Sequence, residues 1–499
     1  ATIPRPINAI FISAPLLKII LDHCVAKMQD AIWIKRCKKL SGLMKMASKL
    51  NATADALYQS IKNLPIVSPH GHCDPSWFAE NKPFENPASL LVTPDHYVFR
   101  MLYSQGIGLK DLGIGEPGAQ ADPRDVFRIF VAHWHLFLGT PTRLWMDYVL
   151  YETLQITAKL TTQNADAIYD QISDRLEQDA YLPRALFDSF NIETLATTDS
   201  ALDDLSYHSA IKSSGWTGQV IPTFRPDGVL DPLDHNFLQN LVELASLTGL
   251  NLDTYADYLT AIRARRAYFI EMGATATDHA IDIIHTEWLN EPDQIYQRIK
   301  QGLETETDAR RFYGHMLIEM AQMSVEDGLT MQIHGGSKRN TNRQLLLEFG
   351  RDMGADIPIS TNWVSGLDAL LNRVGNIPSL TIILFTLDET TYARELAPMA
   401  GHWPCLRIGP PWWFHDSAKG IARYFDQVVE TAGYFNLAGF NDDTRAFLSI
   451  PARHDLWRRG VALHLAEQMN QGTFGGTQAE DLAQLLSTGL ARQAYGIGI

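Results

Sequence analysis

Cysteine is scarce in this chain: four occur in 499 residues, Cys24, Cys37, Cys73 and Cys405, with no regular spacing. That excludes a disulfide framework and a zinc-finger pattern, and it fits a reducing compartment, so a cytoplasmic location is expected. No apolar run reaches the roughly 18–20 residues of a membrane span, so a soluble protein with no membrane partner is expected. Positive charge is also in deficit, with 42 Lys and Arg against 57 Asp and Glu for a net of −15. A phosphate-binding surface needs clustered cations, so nucleic acid is not an expected partner, whereas a small anion held by one or two arginines is compatible.

Residues 1–50 depart from this balance, with seven Lys and two Arg against two Asp, a net of +7 that leaves −22 on the rest. They read as an atypical basic extension preceding a catalytic domain over residues 51–499. Pro15, Lys18 and Asp22 interrupt the apolar stretch, and no small-residue cleavage site follows, so a signal peptide is not expected. The run Gly113-Ile114-Gly115-Glu116-Pro117-Gly118 matches a dinucleotide fingerprint. It follows no strand, and Pro117 removes an amide where phosphate would need one, so a surface loop is the better reading.

From residue 64 onward, short apolar runs recur, each closing on polar residues and mostly separated by helix-like stretches. They fall at 66–70, 193–199, 220–225, 274–279, 329–334, 381–388, 405–410 and 436–443. Eight strands alternating with helices predict an α/β fold, a closed (β/α)8 barrel of the TIM type, rather than an open sheet. Active sites of such barrels lie at the carboxyl ends of the strands. Here those ends carry His70, His72, Asp199, Arg225, Asp278, His279, His334, Asp388 and Asp443. About 75–185 reads as a helical insertion after the first strand, and about 228–272 as a smaller one. The basic run Arg263-Ala264-Arg265-Arg266 in the latter reads as a solvated helix face.

His70-Gly71-His72, directly behind Leu64-Pro65-Ile66-Val67, is the most informative motif. Side chains two apart on a strand share a face, so both imidazoles could reach one cation. A carboxylate from the last strand would complete a site with an open position, suited to one divalent ion. Zinc is the expected ion, with manganese, cobalt and iron as alternatives. Asp442 and Asp443 compete for that role, and Asp443 is preferred because Arg445 then falls on the same side.

A succession of motifs occurs in the order found in uronate isomerases, members of the amidohydrolase superfamily. It runs His70-Gly71-His72-Cys73-Asp74-Pro75, Asp95-His96-Tyr97 with Arg100, Phe224-Arg225-Pro226-Asp227 and Met331-Gln332-Ile333-His334. It continues with Trp412-Trp413-Phe414-His415-Asp416, Asp443-Thr444-Arg445-Ala446-Phe447-Leu448-Ser449, Arg453-His454-Asp455 and Arg458-Arg459. The chain resembles that family from about Leu57 to its end. The resemblance implies a one-metal barrel that interconverts glucuronate with fructuronate and galacturonate with tagaturonate. It implies that His70, His72 and Asp443 hold the metal, that His334 lines the same mouth, and that Tyr97 with His96 works on the substrate. Arg225 and Arg445 would hold the substrate carboxylate or stabilise an enediolate, with His72, Asp278 and Trp413 also facing the substrate.

The chemistry agrees. Aldose–ketose isomerisation opens a hemiacetal, then moves a proton between adjacent carbons through a cis-enediol while a cation holds the oxyanion. A phenol beside an arginine can act as a base, so Tyr97 or Asp443 could carry the proton. The competing readings are a one-metal hydrolase or deaminase of the same superfamily and a sugar-acid-binding protein that has lost catalysis. The absence of a bridging lysine in 274–279 and of a histidine in 381–389 weakens a two-metal hydrolase. Full retention of the proposed metal, arginine and tyrosine positions weakens the binding protein. The sequence allows a homo-oligomer without specifying one.

Overall fold

The computed structural model describes residues 52–115, 121–411 and 415–498. The basic stretch 1–50, Trp412, Trp413 and the Glu116–Gly118 part of the glycine-rich run lie outside the described residues. The apolar runs form parallel strands β1 (Ile66–Ser68), β2 (Ile192–Ala196), β3 (Gln219–Ile221), β4 (Ala276–Ile281), β5 (Thr330–Gly335), β6 (Ile382–Thr386) and β7 (Leu406–Ile408). β1 pairs with β2, β2 with β3, β4 with β5, β5 with β6 and β6 with β7. β2 resumes at Asp199–Ser200 and β3 at Phe224–Arg225, and the latter joins β4 through Phe224 and Thr277. Amides of Thr197 and Asp199 donate to the carbonyls of Ile221 and Thr223 at 2.9 and 3.0 Å, so the ladder continues across both interruptions.

The eighth run makes one parallel bridge, Ile408 to Leu437, because Gly439 at φ 80° and Asp443 at φ 39° bend its backbone out of the extended range. The ring closes when the His72 amide donates to the Thr444 carbonyl at 3.0 Å. The result is the (β/α)8 barrel. β1 is shorter than its apolar run because Pro69 offers no amide to a ladder, so His70 and His72 sit just beyond the strand rather than on it.

Helices begin where the sequence supplies caps. Asp74, Asn86, Asp122 and Thr140 accept from backbone amides, each ahead of a proline in the first turn, and start Pro75–Glu80, Pro87–Leu91, Pro123–Ala132 and Pro141–Tyr148. These and His96–Tyr103, Ala165–Leu176 and Pro183–Ser189 occupy the chain between β1 and β2. Gly113 follows the short helix Lys110–Leu112, not a strand. The helix Tyr255–Glu271 corrects the expectation for the basic run: Arg263 is half-buried, and Arg265 and Arg266 are buried. Arg266 forms a two-bonded pair with Asp327, and Arg265 donates to the carbonyls of Ala201 and Asp203, so this run fastens neighbouring elements. Ile383, Phe385 and Leu387 alternate along and just beyond β6 and pack with Val67, Ala276 and Ala438 in a cluster filling the barrel interior. Among the described residues no helix is long and apolar enough to cross a membrane.

Candidate active site

A cavity of about 670 Å³ opens at the carboxyl ends of the strands. His70, His72, His96, Tyr97, Arg225, Asp278, His334, Asp443 and Arg445 all line it, while Trp413 lies outside the described residues. Other strand-end groups turn away. Thr198 and Ser200 face the cavity, so Asp199 between them points outward, where the Thr197 hydroxyl donates to it at 2.7 Å and lies 2.8 Å from His208. By the same alternation Asp278 and Ala280 face inward, and His279 is buried beside Thr277. Asp388 accepts from the Thr390 amide and stabilises a turn.

The segments after β1 and after Leu437 bring three donors together. His70 Nε2 is 3.4 Å and His72 Nε2 3.0 Å from Asp443 Oδ1, and the three ligand atoms lie within 4.8 Å of one another. Two donors held at about 2.0–2.1 Å by a tetrahedral ion stand about 3.3 Å apart, so these spacings fit a shared divalent cation. Burial disfavours charge on Asp443, yet His70 and His72 hold its carboxyl well below the usual range. Its backbone lies at φ 39°, a sparsely populated region for a residue with a side chain, typical of a constrained site. The neighbouring Asp442 is engaged elsewhere, with Oδ2 3.0 Å from His454 Nε2 and both side chains buried. The choice between the two aspartates is thereby made by geometry.

Across the cavity, His334 Nδ1 lies 2.7 Å from Asp278 Oδ1, and Arg225 stands 3.4 Å from Asp278 Oδ2 and 2.9 Å from Asp227. Burial opposes ionisation of Asp278, but His334 and Arg225 outweigh it and keep the group well below its ordinary value. A carboxylate on Nδ1 fixes that nitrogen as the protonated one, so Nε2 carries the lone pair. His334 stacks on His70 at 4.8 Å and on Phe385 at 4.3 Å. Gly409 permits that layer, because a Cβ there would lie 2.2 Å from the Phe385 ring. His70, Asp278 and His334 form a second group of close ligand atoms, but Asp278 already pairs with Arg225.

Tyr97 and His96 begin the helix His96–Tyr103, whose N-cap Asp95 accepts from the Tyr97 amide at 2.8 Å. Both are partly exposed to the cavity, yet protein surrounds their polar ends. Burial, reinforced by Asp443, pushes the Tyr97 phenol well above its ordinary value against the pull of Arg453 and Arg100. The expectation of a phenol lowered by an arginine is therefore corrected: desolvation wins and Tyr97 keeps its proton. Burial likewise lowers His96 to about 3, so its imidazole is neutral.

Arg445 bonds Asp352 at 2.8 Å. Burial pushes that carboxyl up, but Arg445 overrides it and holds it at about 2. Sequence reasoning gave Asp352 no role. It reaches the cavity from a loop between Gly350 and Gly354, and those flanking glycines are the signal that a tight, inward-turning loop was present. Asp95 and Asp227, which stand in the quoted motifs, support the site: one starts the helix of Tyr97, the other anchors Arg225.

Comparison with known proteins identifies the family and the fold. The model of the glucuronate isomerase family matches residues 44–489. A uronate isomerase of Rhizorhabdus wittichii is 53% identical over 444 residues, 89% of this chain and 95% of that protein. One from Sphingopyxis alaskensis is 50% identical over 448 residues, with 89% and 95% covered. The crystal structure of glucuronate isomerase from Caulobacter crescentus superposes with a TM-score of 0.87 at 48% identity, covering 90% of this chain and 94% of that one. A uronate isomerase from Thermotoga maritima, 24% identical, shares the fold with a TM-score of 0.84 over 89% of this chain and 97% of its own. With most of its length matched at about half identity, the chain belongs to the glucuronate isomerase family.

Proposed function

We propose that this protein interconverts aldose and ketose uronates, D-glucuronate with D-fructuronate and D-galacturonate with D-tagaturonate, by proton transfer through a cis-enediol. The observation that carries this reading is one cavity in which His70, His72 and Asp443 converge while Arg225 and Arg445 supply positive charge. Those three donors would hold one divalent ion, zinc in this reading, which would supply positive charge to polarise a substrate oxygen and offset negative charge developing on it. Manganese, cobalt or iron would satisfy the same donor set.

Every other role falls to side chains. Arg445, steadied by Asp352, and Arg225, steadied by Asp227 and Asp278, fix the uronate carboxylate and its oxygens. Removing the C2 proton requires an acceptor and completing the ketose requires a donor. Asp443 is ionised and suits the first role, while Tyr97 keeps its phenolic proton and suits the second. His96, neutral and ring to ring with Tyr97 at 4.5 Å, orients the phenol, and His334 presents Nε2 toward the substrate.

Proton NMR of each uronate with zinc-loaded protein tests the proposal. Ketose should appear from at least one sugar, and in D2O it should carry deuterium at C1, as proton transfer through solvent-exchanging groups requires. No ketose from either sugar with folded, metal-bound protein overturns the isomerase reading. Ketose without deuterium at C1 would overturn transfer from C2 to Asp443 and from Tyr97 to C1, leaving a single shielded base or a hydride shift.

A further inference from the structure

Beneath the cavity, the C-terminal helix Leu490–Tyr495 closes the opposite end of the barrel. The Tyr495 side chain is almost fully buried and packs with Ile383, Phe385 and Ala438. The approach is close: Gly439 sits at φ 80°, and a Cβ there would lie 2.5 Å from the Ala491 amide nitrogen. Only glycine satisfies both the dihedral and the contact.

The inward face of β5 reads Thr330, Gln332, His334 at successive alternate positions. The Thr330 hydroxyl donates to the Ala494 carbonyl at 2.7 Å, the Tyr495 hydroxyl donates to Gln332 Oε1 at 2.9 Å, and His334 enters the cavity. The Tyr495 hydroxyl also accepts from Asn441 Nδ2 at 3.4 Å. Gln332 lies two residues before His334, and Asn441 lies two residues before Asp443. One hydroxyl therefore joins the two walls directly below the layer that carries the proposed metal donors and His334. Gln332 is fully buried, and among the described residues Tyr495 is its side-chain hydrogen-bond partner. An amide deprived of that bond would be driven to shift, because a buried unsatisfied polar group is costly.

Resting on the metal-site reading above, we infer that Tyr495 is a positioning residue. Through Gln332 and Asn441 its hydroxyl fixes the separation of His334 and Asp443 across the barrel. Nothing in its place beneath the barrel gives it contact with substrate.

The test uses the full chain with Tyr495→Phe, which keeps the ring and removes the hydroxyl. The zinc dissociation constant, from chelator competition, should rise about tenfold, and kcat should fall about tenfold, as for other outer partners of metal ligands. KM should change little, because the arginines are untouched. Gln332→Met breaks the same bond from the other side and should reproduce both effects. The double variant should be no worse than either single one. Thr330→Val loosens the helix without touching the hydroxyl, so it should lower the melting temperature while leaving zinc affinity unchanged. Zinc affinity and kcat at wild-type levels in folded Tyr495→Phe, or additive losses in the double variant, would overturn the inference. Wild-type protein that binds no zinc would instead sink the metal-site reading.

Discussion

The two walls of the cavity use the same residue types differently. On the wall formed after β1 and Leu437, Asp443 meets two imidazoles, while the nearby Arg445 turns to Asp352. On the wall of β4 and β5, Asp278 meets one imidazole and one guanidinium. The first arrangement gathers lone pairs around a carboxylate and calls for a cation. The second is already balanced in charge and is built to orient His334. Asp442 and His454, a buried pair 3.0 Å apart, stand outside both walls, since neither lines the cavity.

Breaking the first wall should have the largest effect. His72→Ala removes one of three donors, and zinc content measured after dialysis should collapse along with turnover. Tyr97→Phe, which leaves all donors in place, should keep the zinc and lower kcat by about 10²–10⁴-fold, the usual worth of a general acid or base. Arg445→Met should lower kcat/KM by about 10²–10³-fold, as for loss of an oxyanion donor, with zinc content unchanged. Asp278→Asn attacks the second wall by releasing His334 and Arg225. A smaller loss of about 10–100-fold in kcat is expected, again with zinc retained. Equal zinc loss in His72→Ala and Asp278→Asn would erase the distinction between the walls.

The smallest effect lies outside both walls. Burial pushes Asp199 up to about 7, which means the folded protein takes up a proton there between about pH 4 and 7. Its contribution to stability is therefore complete below pH 4 and lost as pH rises through 7. Asp199→Asn should raise the melting temperature at pH 8, on the order of 1–3 kcal/mol of stability, and do little at pH 4. Thermal melts at the two values check this.

The barrel was legible because its strands are apolar runs ending on polar residues, and because β5 and β6 are buried on both faces. The eighth strand was less so, since its bend at Gly439 and Asp443 serves the site rather than a ladder. Within the site, His70 and His72 announce themselves by spacing, and Asp443 was preferred over Asp442 because Arg445, two residues on, falls on the same side, as the cavity lining bears out. Side-chain direction was the main thing hidden. Asp199 and His279 lie at strand ends and look like site residues, but each falls one position out of phase with the cavity face. Asp352 comes from a loop remote in the chain, and the burial of Arg265 and Arg266 depends on partners more than 50 residues away. The ionisation of Tyr97 could not be read from a neighbouring arginine, because the extent of desolvation is a property of the packed helix and its surroundings.

The most direct measurement is anomalous diffraction at the zinc edge from crystals of zinc-loaded, active protein. The account predicts one strong peak about 2.0–2.2 Å from His70 Nε2, His72 Nε2 and an Asp443 carboxylate oxygen, with Asp278 still paired to Arg225. A peak held instead by His70, Asp278 and His334, or full activity with no ordered ion at either place, would contradict it.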